Sequence, residues 1–129
     1  MTEQIRVLLV EPGEKPVLRT VPHTLENLQK LVGGDLQAVY PWEDNVALVC
    51  SDTGKIDGLA PNRMLEDYDI ICGTFFICGL SPENFADISD DMAEKYAQKF
   101  HYPELFMRTM DNHVLDFKIG SGEPPKVIA

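Results

Sequence analysis

Apolar residues along the chain fall into short runs separated by turn chemistry, and the period of those runs predicts the elements. Ile5 to Val10 (IRVLLV) reads as a buried strand. Glu11 to Pro16 (EPGEKP) sets two prolines around a glycine, which is a turn, and Val17 to Val21 alternates as the returning arm of a hairpin. Thr24 then stands as an N-cap before Leu25, Leu28, Leu31 and Val32 at helical spacing, with Gly33 and Gly34 as the stop. Leu36 to Tyr40 predicts a third strand ended by Pro41, and Val46 to Cys50 (VALVC) a fourth. Ser51 to Lys55 (SDTGK) reads as a hairpin turn, Ile56 to Leu59 as a brief return, and Pro61 to Arg63 as a tight connection.

The longest apolar run is Asp69 to Leu80 (DIICGTFFICGL), and it reads as one central strand, the spine of the fold. Alternation puts Ile70, Cys72, Thr74, Phe76 and Cys78 on one side and Ile71, Gly73, Phe75 and Ile77 on the other. Both sides are apolar, so the strand must be covered on two faces. Further along, Ser89 caps a helix that runs to Phe100. Asp90 and Asp91 lie where the helix dipole favours negative charge, and Lys95 and Lys99 lie toward the other end. Met92, Tyr96 and Phe100, with Ala93 and Ala97 beside them, make its packing stripe. Tyr102 to Met110 is ambiguous. Val114 to Ile119 alternates as one more strand with Leu115, Phe117 and Ile119 on the buried side, and Gly120 to Ala129 reads as a flexible tail.

These elements predict a single α+β domain over residues 1–119, with residues 120–129 outside it. Its mixed β-sheet has the β-grasp-like order ββαβββ, followed by a C-terminal helix and a further short strand. In that arrangement the first and last strands run parallel in mid-sheet under one helix. The second face of the spine then calls for the second helix or a partner subunit, a homodimer being one way to cover it. Element order is an analogy of fold and carries no function.

Composition changes the picture in two ways. Of the net charge of −10, the stretch from Glu43 to Asp91 holds eleven acids against two bases, Lys55 and Arg63, a net of −9; the remainder holds ten acids and nine bases, a net of −1. A field of this sign repels nucleic acid and attracts basic protein surfaces; surface acids also serve solubility alone. The three cysteines are read as small buried hydrophobes of a reducing compartment, because Cys72 and Cys78 on one strand would stand about 20 Å apart. No apolar run is long enough for a membrane span, and the amino-terminal run carries Glu3 and leads directly into a strand pattern, unlike a secretory signal. The expectation is a cytoplasmic protein with no membrane partner.

Several segments together are similar to a known family: EPG in the first turn, TLENLQKLVGG, VYPWEDNVALVCSDTGKIDGLAPNR, DIICGTFFICGL, and EKYAQKF at a helix end. The chain resembles the bacterial and phage domain-of-unknown-function family 3846 over roughly residues 5–100, departing from its usual second proline at Ala60. The resemblance implies an intracellular protein, often encoded on mobile elements and phages beside anti-restriction and conjugation genes. It supplies no catalytic residues.

No phosphate-binding loop, dinucleotide fingerprint, CxxC, HExxH or GxSxG motif is present, and His23, His101 and His113 stand at spacings that fit no metal site. No enzyme, cofactor or metal is expected. Asn62 and Arg63 form one candidate site, where the guanidinium either grips a phosphate or carboxylate or clamps Glu66, Asp67 or Asp69. Tyr40 and Trp42 form a second, either as a rigid aromatic anchor at an interface or as a plug at the end of the core. Glu43, Asp44, Asp52 and Asp57 are the acids expected to steer a partner. The reading is a non-enzymatic acidic interaction protein that engages a basic protein surface, such as that of a host defence or nucleic-acid-binding protein. The alternative is a binder of a small nucleotide-like ligand through Arg63, Asn62 and the aromatic pair.

Overall fold

A computed structural model describes residues 3–128 of the chain. The architecture is α+β. The hairpin of β1 (Gln4–Val10) and β2 (Val17–Pro22) forms as its turn chemistry predicts, with Ile5 opposite Val21 and Leu9 opposite Val17. Helix α1 (Leu25–Val32) starts where the Thr24 hydroxyl accepts the Asn27 N–H. It ends where Gly33, at φ 85°, donates its N–H to Gln29 O; only glycine takes that left-handed position without strain. Strands β3 (Leu36–Val39) and β4 (Val46–Ser51) follow as an antiparallel pair.

The predicted spine is two strands instead of one. Hairpin strands β5 (Pro61–Leu65) and β6 (Asp69–Cys72) form a small sheet of their own, and the chain then turns into β7 (Phe75–Leu80). The corner is Gly73, at φ 86°, where an added Cβ would come within 2.7 Å of the Leu59 side chain. Its carbonyl accepts the Asn62 side-chain N–H at 2.9 Å, and its own N–H reaches Ala60 O at 2.7 Å. Hydropathy alone runs through such a corner, because apolar residues on both arms hide the break. Pro61 to Arg63 is therefore strand, where a tight connection was expected. Residues 52–58 form turns in place of the brief returning strand, leaving Ile56 86% exposed.

The main sheet has the order β2-β1-β7-β4-β3, with the short β8 (Phe85–Ala86) beside the end of β7. The first strand does neighbour the spine in mid-sheet, with Leu9 opposite Phe76. That pairing is antiparallel, as are the other pairings, so the parallel relation of the β-grasp order does not hold. Each face of this sheet carries one helix. On one side Leu28 and Val32 of α1 pack with Ile5, Val7, Val49, Phe76 and Cys78. On the other, Ala93, Tyr96 and Phe100 pack with Leu8, Val10, Leu48, Phe75 and Ile77. The second face is thus covered by α2 (Asp90–Lys99), capped by the Ser89 hydroxyl on Met92 N–H.

Beyond α2 the ambiguous stretch is β9 (Glu104–Arg108), which pairs with β10 (Val114–Lys118); the stretch read as a tail holds β11 (Lys126–Val127), paired with β10. The expected burial of β10 is reversed. Asp116 is the buried residue, at 6% exposure, while Ile119 is 52% exposed. Among the described residues no helix is long and apolar enough to cross a membrane.

Candidate functional site

The residues singled out in the sequence separate into three places. Arg63 and Asn62 are fully buried. The guanidinium donates to Phe100 O through Nε (3.2 Å) and Nη2 (3.1 Å), to Glu14 O through Nη2 (2.6 Å), and to Asn62 Oδ1 through Nη1 (2.8 Å). Asn62 Nδ2 in turn donates to Val10 O and Gly73 O, both at 2.9 Å. The pair is a clamp, and its partners are backbone carbonyls of the first turn, the end of α2 and the Gly73 corner; the acids Glu66, Asp67 and Asp69 play no part in it. Burial pulls the Arg63 pKa down, with the nearby Glu104 carboxylate opposing.

Trp42 is part of the core margin. Its ring lies 4.5 Å from Tyr96 and 6.1 Å from Phe100 between centroids, and its indole N–H donates to Glu66. Lys99 bonds the same carboxylate at 2.9 Å, and the Trp42 and Lys99 bonds hold the Glu66 pKa below its usual range. Tyr40 is 60% exposed nearby. Asp44 Oδ2 accepts from Lys95 Nζ (2.5 Å) and the Tyr96 hydroxyl (2.7 Å), and those bonds lower its pKa; burial and Asp44 together raise that of Tyr96. Asp44 therefore ties the β3–β4 loop to α2 and is not a free surface charge.

Glu43 and Asp44 stand at one end of β4, Asp52 and Asp57 at the other. The acidic middle is consequently dispersed. Arg6 answers part of it, bonding Asp90 at 2.8 Å by its side chain and Asp87 at 2.7 Å through its backbone N–H, and Lys55 bridges Asp69. Asp52 and Asp57 have no basic partner among the described residues; Asp57 accepts only the Thr53 hydroxyl, at 2.6 Å.

Asp52 lines a groove of about 340 Å³ between β3–β4 and the β5–β6 hairpin, together with the Lys55–Asp69 ion pair; Asp57 follows Ile56 in the chain and lies outside the lining. Val39, Leu48, Cys50, Leu65 and Ile71 supply an apolar lining shared with the core. Burial, with the charges of Asp69 and Asp52, pushes the Cys50 thiol up to about 11, so it lines the groove as a neutral side chain. Ile56 (86% exposed) and Tyr68 (66%) flank the mouth, and the buried Ser51 hydroxyl has no hydrogen-bond partner. Ile56, Tyr68 and Ser51 were missed as site residues. The available signal was Ile56 itself, one isoleucine between Lys55 and Asp57 in a polar turn.

A family model described as "Domain of unknown function (DUF3846)" matches residues 5–101. The chain belongs to this family. No curated protein and no solved structure matches it. The DUF3846 match takes in the groove, the Arg63 clamp and α2, while β9 to β11 lie beyond it. Among the described residues no cluster of three or more His, Cys, Asp or Glu side chains is placed to hold a metal.

Proposed function

We propose that this DUF3846 protein works by binding, without catalysis of its own, and that its groove receives a basic segment of another protein. The carrying observation is the composition of the groove mouth: an isoleucine 86% exposed beside a cavity floored by Val39, Leu48, Leu65 and Ile71, with Asp52 in its lining and Asp57 next to Ile56 in the chain, neither paired with a base among the described residues. Leaving Ile56 in water is unfavourable by roughly 1.5–3 kcal/mol relative to burial, which a partner's apolar side chain seated beside it recovers. The carboxylates then select lysine or arginine flanks and steer the encounter. A host protein that itself binds nucleic acid presents such a basic surface, and the charge of −10 disfavours direct contact with nucleic acid.

The test is capture of a partner from host lysate followed by association kinetics at two salt concentrations. Ile56→Ser should raise the dissociation rate by about tenfold, the worth of one buried anchor. The Asp52→Asn/Asp57→Asn pair should slow association several-fold at low salt and little at high salt, whereas Glu43→Gln, at the far end of β4, should leave both rates unchanged. Salt-independent binding that both groove variants retain would overturn the proposal.

A further inference from the structure

The three-stranded sheet β9–β10–β11 turns a charged face inward and leaves a cleft of about 450 Å³ against Met64 and the end of α2. Four carboxyls line it, those of Glu66, Asp67, Glu104 and Asp116. Asp116 is 6% exposed, and its Oδ1 has no hydrogen-bond partner among the described residues. Glu104 lies diagonally across the β9–β10 pairing from Asp116 on the same face, and two neighbouring carboxyls resist ionising together. Burial first, then the Asp116 bond and charge, lift the Glu104 pKa to about 8; the Met64 N–H and the Arg63 guanidinium work against that rise. Glu104 thus retains a proton at neutral pH, because burial and the neighbouring Asp116 outweigh Arg63.

Cations stand close by without making that contact. Register places Lys118 directly across from Glu104 and Lys126 directly across from Asp116, both lining the cleft, yet no ion pair joins either lysine to a carboxylate among the described residues. Lys99 is taken by Glu66. Asp67 and Tyr102 complete the groups facing the cleft. Directly opposed strand residues have Cβ atoms about 5 Å apart, so an acceptor layer and an ammonium layer lie within the length of one small molecule.

We propose that this cleft binds a small zwitterion, its ammonium group on Glu104 and Asp116 and its phosphate or carboxylate on Lys118 and Lys126. The incoming ammonium takes the place of the proton held by Glu104, which leaves to the solvent, so each binding event releases a proton. An isolated anion meets the lysines but gains nothing from the carboxyls, and an isolated amine the reverse. The site is separate from the groove beside Ile56.

The experiment is titration calorimetry of the full chain at pH 7 in two buffers of different ionisation enthalpy. The probe is O-phosphoethanolamine, with inorganic phosphate and ethanolamine as single-ended controls. Phosphoethanolamine should bind at least about tenfold more tightly than either control, releasing about one proton per molecule bound. Glu104→Gln keeps the shape of the protonated acid, and should abolish the proton release and weaken binding by roughly tenfold, the scale of one charge-assisted bond. Lys118→Ala/Lys126→Ala should erase the preference over ethanolamine. Absence of phosphoethanolamine binding, equal affinity for all three probes, or proton release that survives in Glu104→Gln would overturn the proposal.

Discussion

Replacing Arg63 tests whether the buried guanidinium holds the fold together. It joins the first turn at Glu14, the end of α2 at Phe100 and the Asn62 amide, at 0% exposure. In Arg63→Met the aliphatic stem is kept and the donors are lost. Three acceptors are then stranded, each at about 1–3 kcal/mol. Against that loss stands the relief of a buried charge, itself several kcal/mol. Because the partners are neutral carbonyls that remain where the fold puts them, the stranded acceptors outweigh that relief and the expected net loss is about 4 kcal/mol. For a domain of roughly 5–15 kcal/mol total stability this is a large fraction. Urea unfolding at pH 7, followed by the fluorescence of Trp42, should show a midpoint lowered by about 2 M for an m-value of about 2 kcal/mol/M. Arg63→Lys retains the charge but lacks the planar fork, and should fall in between. A midpoint for Arg63→Met within the error of the unaltered protein would refute the clamp.

Two further outcomes follow from burial. Phe76→Ala empties a fully buried aromatic site facing α1 and should cost about 3–5 kcal/mol in urea unfolding; a loss no larger than that of Glu43→Gln at the surface would contradict the placement. Glu104 holds its proton to about pH 8 when folded, whereas an unfolded glutamate releases it near about 4.3. Between those values the folded state binds the extra proton, so stability is greatest below the unfolded pKa, declines as pH rises, and levels off above about 8. Since Glu104 is only partly buried, the full linkage is reduced by solvent to about 1–3 kcal/mol across the window. The stability of Glu104→Gln relative to the unaltered protein should therefore rise between pH 5 and pH 8; a difference that is flat with pH would show that Glu104 titrates normally.

Much of the scaffold is legible one residue at a time because its causes are local. Thr24 and Ser89 cap the two helices, since a hydroxyl needs only the N–H three residues on. Gly33 ends α1 by its own backbone freedom. The apolar run Asp69–Leu80 required cover on two faces, and α1 and α2 supply it for β7. Family membership was equally open to sequence reading, because it rests on ordered segments within residues 5–101.

The direction of the strands and the chemistry of the sites were decided elsewhere. Periodicity says which faces are buried and nothing about whether neighbours run parallel, so the parallel relation taken from the β-grasp order gives way to an antiparallel pairing of β1 with β7. Arg63 reads in the sequence either as a ligand grip or as a clamp on Glu66, Asp67 or Asp69, but the carbonyls it grips lie 37 and 49 positions away in sequence, at Phe100 and Glu14. Trp42, Asp44 and Glu66 lose their freedom to α2 in the same manner. Asp116 carries the most instructive reversal. Alternation along VLDFKI assigns the apolar residues to the core, yet β10 buries Asp116 and the sheet exposes Ile119 and Val127. The residues in the interior of β10 are set by what the sheet packs against, here Met64 and the end of α2. That neighbour exists only once distant parts of the chain have come together.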